Sequence, residues 1–160
     1  PQIGITFVFV THDQHEALSM SDRIGVFNEG RLEQVATPAE LYARPRTRFV
    51  AEFVGSANVL HGELARRFGQ AEAIMIRPEL ITLGGADGAR ASGPLVDAQY
   101  FGSFWRLSIE ALGADSGERL MADVPVSQLA QAPSSGSLVH FHWPDAAVHA
   151  IANAVSSPSR

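Results

Sequence analysis

The chain has 160 residues, room for one ordinary domain or for a small domain joined to part of another. Hydrophobic residues make up 46% and charged residues 18%, a globular balance, and the longest apolar runs fall far short of the ~20 residues that a membrane-crossing helix needs. A net charge of -5 argues against a nucleic-acid partner, whose affinity rests on Lys and Arg displacing counterions; the absence of cysteine excludes disulfides and thiolate metal sites and fits a reducing compartment.

The start, Pro1-Gln2-Ile3-Gly4, has no initiator Met, no basic n-region and no small-residue cleavage site, so it reads as the cut edge of a longer chain. Ile3 to Val10 is uncharged and rich in Ile, Val and Phe, the pattern of a strand buried on both faces of a parallel sheet. Its neighbours are missing from the sequence, so it is expected to be disordered or paired with another chain. Asp13 then caps a helix running to about Asp22, with Glu16 reaching back to the cap and Ala17, Met20 and Ile24 on one face. Arg23 to Phe27 and Arg31 to Val35 form a hairpin around a three-residue loop, Asn28-Glu29-Gly30, in which Gly30 takes positive φ.

Thr37-Pro38-Ala39-Glu40 opens a short helix to about Ala43, which Arg44-Pro45 breaks. Thr47 to Val54 restarts it with an apolar stripe of Phe49, Val50, Phe53 and Val54, and Gly55 closes it. The three arginines from Arg44 to Arg48 read as a solvated helix start. A boundary falls at Gly55 to Asn58. Beyond it come short β runs at Val59 to Leu64, Ala73 to Arg77, Ile81 to Leu83, Leu95 to Phe101, Phe104 to Leu112, Arg119 to Val124, Leu138 to Trp143 and Val148 to Ala152. Gly84 to Gly93 and Gln131 to Ser137 read as loops, and 156–160 as a frayed tail. The expected class is mainly β, a small barrel preceded by an α/β remnant.

The stretch from Gly4 to Ile24, containing Val10-Thr11-His12-Asp13-Gln14-His15-Glu16-Ala17, closely resembles the switch-histidine region of ABC transporter ATPases. Thr37-Pro38-Ala39-Glu40-Leu41-Tyr42 and Arg48-Phe49-Val50-Ala51-Glu52-Phe53-Val54-Gly55 look like its continuation. From Asn58 onward, Ile76-Arg77-Pro78-Glu79, Gly93-Pro94-Leu95-Val96 through Tyr100-Phe101-Gly102-Ser103, and Phe141-His142-Trp143-Pro144 resemble the TOBE domain, an OB-like module of importer ATPases, here most like the spermidine/putrescine group.

The resemblance implies residues 1–56 as the carboxy-terminal remnant of an ATPase domain, 57–155 as a TOBE domain and 156–160 as a tail. It implies a role as the regulatory or dimerisation region of an importer's ATP-binding subunit, with ATP and Mg used in the full-length protein. The implied partners are a second ATPase subunit, membrane permease subunits and, indirectly, a periplasmic solute-binding protein, at the cytoplasmic face of the inner membrane. By the same resemblance His12 senses the γ-phosphate, and Asp13 and Gln14 contact the dimer partner. Neither a Gly-x-x-x-x-Gly-Lys-Ser/Thr loop, nor the family signature, nor a strand ending in Asp-Glu occurs in the sequence, so the chain alone is expected to be inactive and to complete no cofactor site. The alternative function is a small-ligand-sensing OB-like domain that regulates transport.

His140 and His142, with His61 and His149, lack ligand-spaced carboxylates and read as surface histidines rather than a metal site. Glu110, Glu118 and Asp123 read as solvated edges, and Tyr100, Phe101, Phe104 and Trp105 as core or subunit interface. Arg77-Pro78-Glu79 fits a structural corner better than a regulatory pocket.

Overall fold

The computed structural model describes residues 4–69, 71–112 and 118–152. Ile3, part of the expected first strand, and the expected tail lie outside them. Residues 4–12 belong to no helix or strand, and Phe7, Val8 and Val10 are exposed. The apolar pattern that predicts a strand here finds no partner strand among the described residues.

Helix α1 (Gln14–Met20) is capped by Asp13, whose carboxylate accepts from the amides of His15 and Glu16. Contrary to what the spacing predicts, Glu16 does not reach back to the Asp13 amide. That amide donates to Thr11 Oγ1, and Glu16 accepts from the Thr11 hydroxyl. Ala17 is buried but Met20 is not, because the short helix offers the core only one of its turns.

Strands β1 (Ile24–Asn28) and β2 (Arg31–Ala36) pair antiparallel with Asn28 opposite Arg31, so the loop is two residues rather than three. Glu29 and Gly30 both take positive φ, 48 and 76°, as the tight primed hairpin turns require. Helix α2 (Pro38–Ala43) carries a full capping box between Thr37 and Glu40, and α3 (Arg48–Phe53) is capped by Thr47, whose hydroxyl accepts from the Val50 amide. The Arg44-Pro45 break is held by the buried Gln34 side chain, which donates to Arg44 O and accepts from the Arg46 amide. Ala17, Ile24, Val26, Leu41, Val50 and Val54 form the core of this first part.

β3 (Asn58–His61) begins the β-rich part, but the expected strand to Leu64 stops at His61. Gly62, at φ 59°, turns the chain into α4 (Gly62–Gly69), with Leu64 and Ala65 buried and Arg66 and Arg67 in its last turn. β4 (Ala73–Ile76), β5 (Thr82–Gly84), β6 (Ala91–Tyr100), β7 (Phe104–Glu110), β8 (Arg119–Pro125), β9 (Leu138–His142) and β10 (His149–Ala150) follow. The chain is mainly strand, in an OB-like arrangement of open sheets. One sheet has the order β10-β4-β3 and the other β5-β9-β6-β7-β8. They share one core that includes Leu60, Ile74, Ile76, Leu107, Ile109, Leu120 and Phe141.

β6 starts four residues earlier than the predicted Leu95, inside the expected Gly84 to Gly93 loop. Ala91 to Pro94 pair with β9 and the second half with β7. Gly93 makes this possible: a Cβ there would stand 1.9 Å from Glu110 O. The sheets join through a side chain rather than a continuous backbone ladder. Asn58, 2% exposed, donates to Met121 O at 2.8 Å and accepts from the Met121 amide at 2.7 Å, so its carboxamide pairs with edge strand β8 as a backbone unit would. The same amide nitrogen donates to Ile76 O at 3.3 Å.

Candidate functional site

His12 stands exposed between the irregular segment 4–11 and the first turn of α1. Asp13 caps α1 through Oδ1, and its carboxyl is held below the ordinary range, first by the Glu16 amide and then by that of His15. Gln14 lines an open cleft of about 530 Å³ together with His15, Leu18, Tyr42, Val54 and Ser56. The three residues are adjacent, but no phosphate-cradling Gly-rich loop occurs in the sequence to accompany His12. They could supply one edge of a phosphate site and do not build it alone.

The other residues singled out by sequence fall elsewhere. His140 Nδ1 lies 2.7 Å from Ser92 Oγ, His142 Nε2 is 2.9 Å from Gly85 O, and His149 Nε2 is 3.2 Å from Pro45 O. The His61 backbone amide donates to Glu118, so Glu118 ties β3 to the neighbourhood of β8 and is not a free edge. Among the described residues no three His, Asp or Glu side chains are grouped to hold a metal.

Asp123 also departs from the solvated-edge reading. Its two oxygens accept from Arg106 Nε and Nη2, each at 2.7 Å, on paired strands where Arg106 faces Asp123. That fork holds the guanidinium's pKa above its ordinary value. The arginine lies over Phe101 and Phe104, which stack on each other at 5.0 Å, while Tyr100 meets Trp105 at 4.9 Å. Only Trp105 of this group packs against the core. Tyr100, the last residue of β6 and opposite Trp105, and Phe101, in the turn that follows, are exposed.

Arg77 is the polar residue whose surroundings the sequence indicates least. It is 2% exposed, at the end of β4, and donates to carbonyls of α2, α3 and the stretch after α3. Its guanidinium lies 4.1 Å from the centre of the Tyr42 ring, and the Tyr42 hydroxyl donates to Glu79 at 2.6 Å. Burial lowers the guanidinium's pKa, with Tyr42 and Glu79 opposing. The Arg77-Pro78-Glu79 corner is visible as a motif; its partners, 21 to 35 residues earlier, are not.

Residues 74–151 match the TOBE domain family. The chain is 44% identical over 145 residues to an uncharacterised ABC transporter ATP-binding protein of Escherichia coli strain K12, YdcT, covering 88% of this chain and 42% of that protein. The chain is similar to the carboxy-terminal part of ABC transporter ATP-binding proteins. A spermidine/putrescine import ATP-binding protein, PotA of Rubrobacter xylanophilus, is 36% identical over 168 residues, covering 89% of the chain and 44% of the relative. The PotA of Thermobifida fusca is 62% identical over 65 residues, or 41% of the chain and 17% of that protein. The chain thus spans less than half the length of these relatives. No helix among the described residues is long and apolar enough to cross a membrane.

Proposed function

We propose that the chain is the regulatory and dimerisation region of the ATP-binding subunit of a bacterial ABC importer, of the polyamine type, which energises uptake by hydrolysing ATP in the full-length protein. The observation that supports this most is the relationship to an ABC transporter ATP-binding protein over 88% of the chain. Spermidine and putrescine come from the names of the PotA relatives. In this reading residues 1–56 complete an ATPase domain and 57–155 act as its accessory domain. The subunit pairs with a second copy, docks on membrane permease subunits at the cytoplasmic face of the inner membrane, and serves a periplasmic solute-binding protein indirectly.

His12 senses the γ-phosphate of ATP bound with Mg, and an imidazole suits that task because it can donate a hydrogen bond to a phosphate oxygen while neutral. Asp13 and Gln14 face the second subunit, with Asp13 also holding α1. In the full-length protein, His12→Ala should reduce ATP hydrolysis roughly 100-fold or more, the scale of losing one preorganised transition-state contact, and leave ATP binding intact. Wild-type hydrolysis by that variant would overturn the role of His12. Light scattering of the chain is expected to give the mass of a dimer, and a monomer at micromolar concentration would remove the dimerisation role.

A further inference from the structure

Arg77 leaves the β-rich part and ends among backbone carbonyls of the first part. Nε and Nη2 donate to Tyr42 O at 3.1 and 2.8 Å, and Nη1 donates to Ala51 O at 3.0 Å, Ser56 O at 2.9 Å and Gly55 O at 3.3 Å. Tyr42 O and Ala51 O lie in the closing turns of α2 and α3, where a helix leaves carbonyls without intrahelical donors. One side chain therefore satisfies the ends of two helices and the backbone that leads from them to β3.

The ion pairs among the described residues, Arg48 with Glu52, Arg90 with Asp145 and Arg106 with Asp123, do not include Arg77. Its charge is held by carbonyl dipoles and the Tyr42 ring. Sliding the first part away from β4 would strand a buried cation and four carbonyls at once, a cost with no partial relief. An apolar seam runs beside it, where Ala51 of α3 packs with Ala73, Met75 and Ile151. Beyond the seam the Ala152 amide donates to Arg46 O at 2.9 Å, and Thr47 bridges to Ala152.

We propose that Arg77 is an interlock that makes the α2–α3 unit and the β-rich part move as one rigid body. Gly55-Ser56-Ala57, which reads as a linker by composition, is then a covalent boundary and not a hinge. Because Ala17, Ile24 and Val26 pack on Leu41 and Val50, the same body extends back to α1.

The chain has no cysteine, so Met20→Cys and Gln128→Cys, both at exposed positions, give one labelled pair across the boundary. Pulsed electron paramagnetic resonance is expected to give a single narrow distance distribution for this pair. Adding Arg77→Met should broaden it and raise amide exchange at residues 42–57 at least tenfold, while the β6, β7 and β8 amides keep their protection. A broad distribution with Arg77 present would overturn the proposal. So would an unchanged distribution in the Met variant, or a uniform rise in exchange through β6 to β8, which marks a residue that stabilises the fold without locking the boundary. If the Met variant does not fold, Arg77→Lys, which keeps the cation but can reach fewer carbonyls, takes its place in the same two measurements, and the same results support or overturn the interlock.

Discussion

Two apolar runs in this chain, Ile5 to Val10 and Ala73 to Ile76, are alike in composition and opposite in fate. In β4 all four side chains are buried between β3 and β10, whereas Val8 is 89% and Val10 99% exposed. The runs themselves do not differ enough to explain this. What differs is supply: β4 receives a strand on each edge, α4 on one face and Arg77 with Asn58 at its end, and the earlier run receives nothing from the described part of the chain. Continuous hydrophobicity states that a segment needs covering, and the rest of the fold decides whether it is covered.

The sharpest way to break the comparison is to truncate one side chain in each run. Ile74, with no exposure, loses its transfer energy and leaves a cavity when changed to Ala, a cost of about 2–5 kcal/mol. Val8→Ala should shift stability by less than about 0.5 kcal/mol, as expected of a side chain that touches no core. Urea unfolding followed by circular dichroism measures both. Equal losses would show that the first run is covered in solution and that the contrast is wrong.

A smaller effect tests how β4 is kept covered. Asn58→Ala leaves the Met121 amide and carbonyl without the partner that joins the sheets, at a cost of about 2–3 kcal/mol. Asn58→Leu, which keeps the volume but not the carboxamide, should lose about as much. Recovery of stability in the Leu variant would mean that packing, not the amide bridge, joins β8 to β3.

Much of this was legible along the chain. The capping residues Asp13 and Thr37, the break at Pro45 and the positive φ of Gly30 follow from local chemistry and occur where that chemistry places them. α4 was hidden because Gly62 opens it with no side-chain cap, and Leu64 continues the apolar texture of β3. The start of β6 was hidden because Ala91-Ser92-Gly93-Pro94 has the composition of a loop, and Gly93 is required by the close approach of Glu110 from β7. Arg77, Asn58 and the Arg106–Asp123 fork depend on partners 17 to 63 residues away, which no local pattern carries. Of the candidate site residues, Asp13 has a cap role that rests on geometry within the described residues, while Gln14 lines an open cleft and His12 stands exposed.

The smallest expected effect concerns the outer bond of the Arg77 cluster. Burial first, then donation to Glu79 and that residue's charge, push the Tyr42 hydroxyl from 10.0 up to about 12, with Arg77 pulling the other way. A folded-state value raised above the unfolded one gives a contribution that is complete below pH 10 and is lost as pH rises through about 12. Unfolding midpoints should therefore fall over that window more steeply in the wild-type chain than in Tyr42→Phe, which has no hydroxyl to ionise. The chain has two tyrosines, so tyrosinate absorbance followed in Tyr100→Phe reports Tyr42 alone. If wild type and Tyr42→Phe lose stability in parallel, the Tyr42–Glu79 bond contributes nothing to the covering of β4, and its end is held by the carbonyl contacts of Arg77 alone.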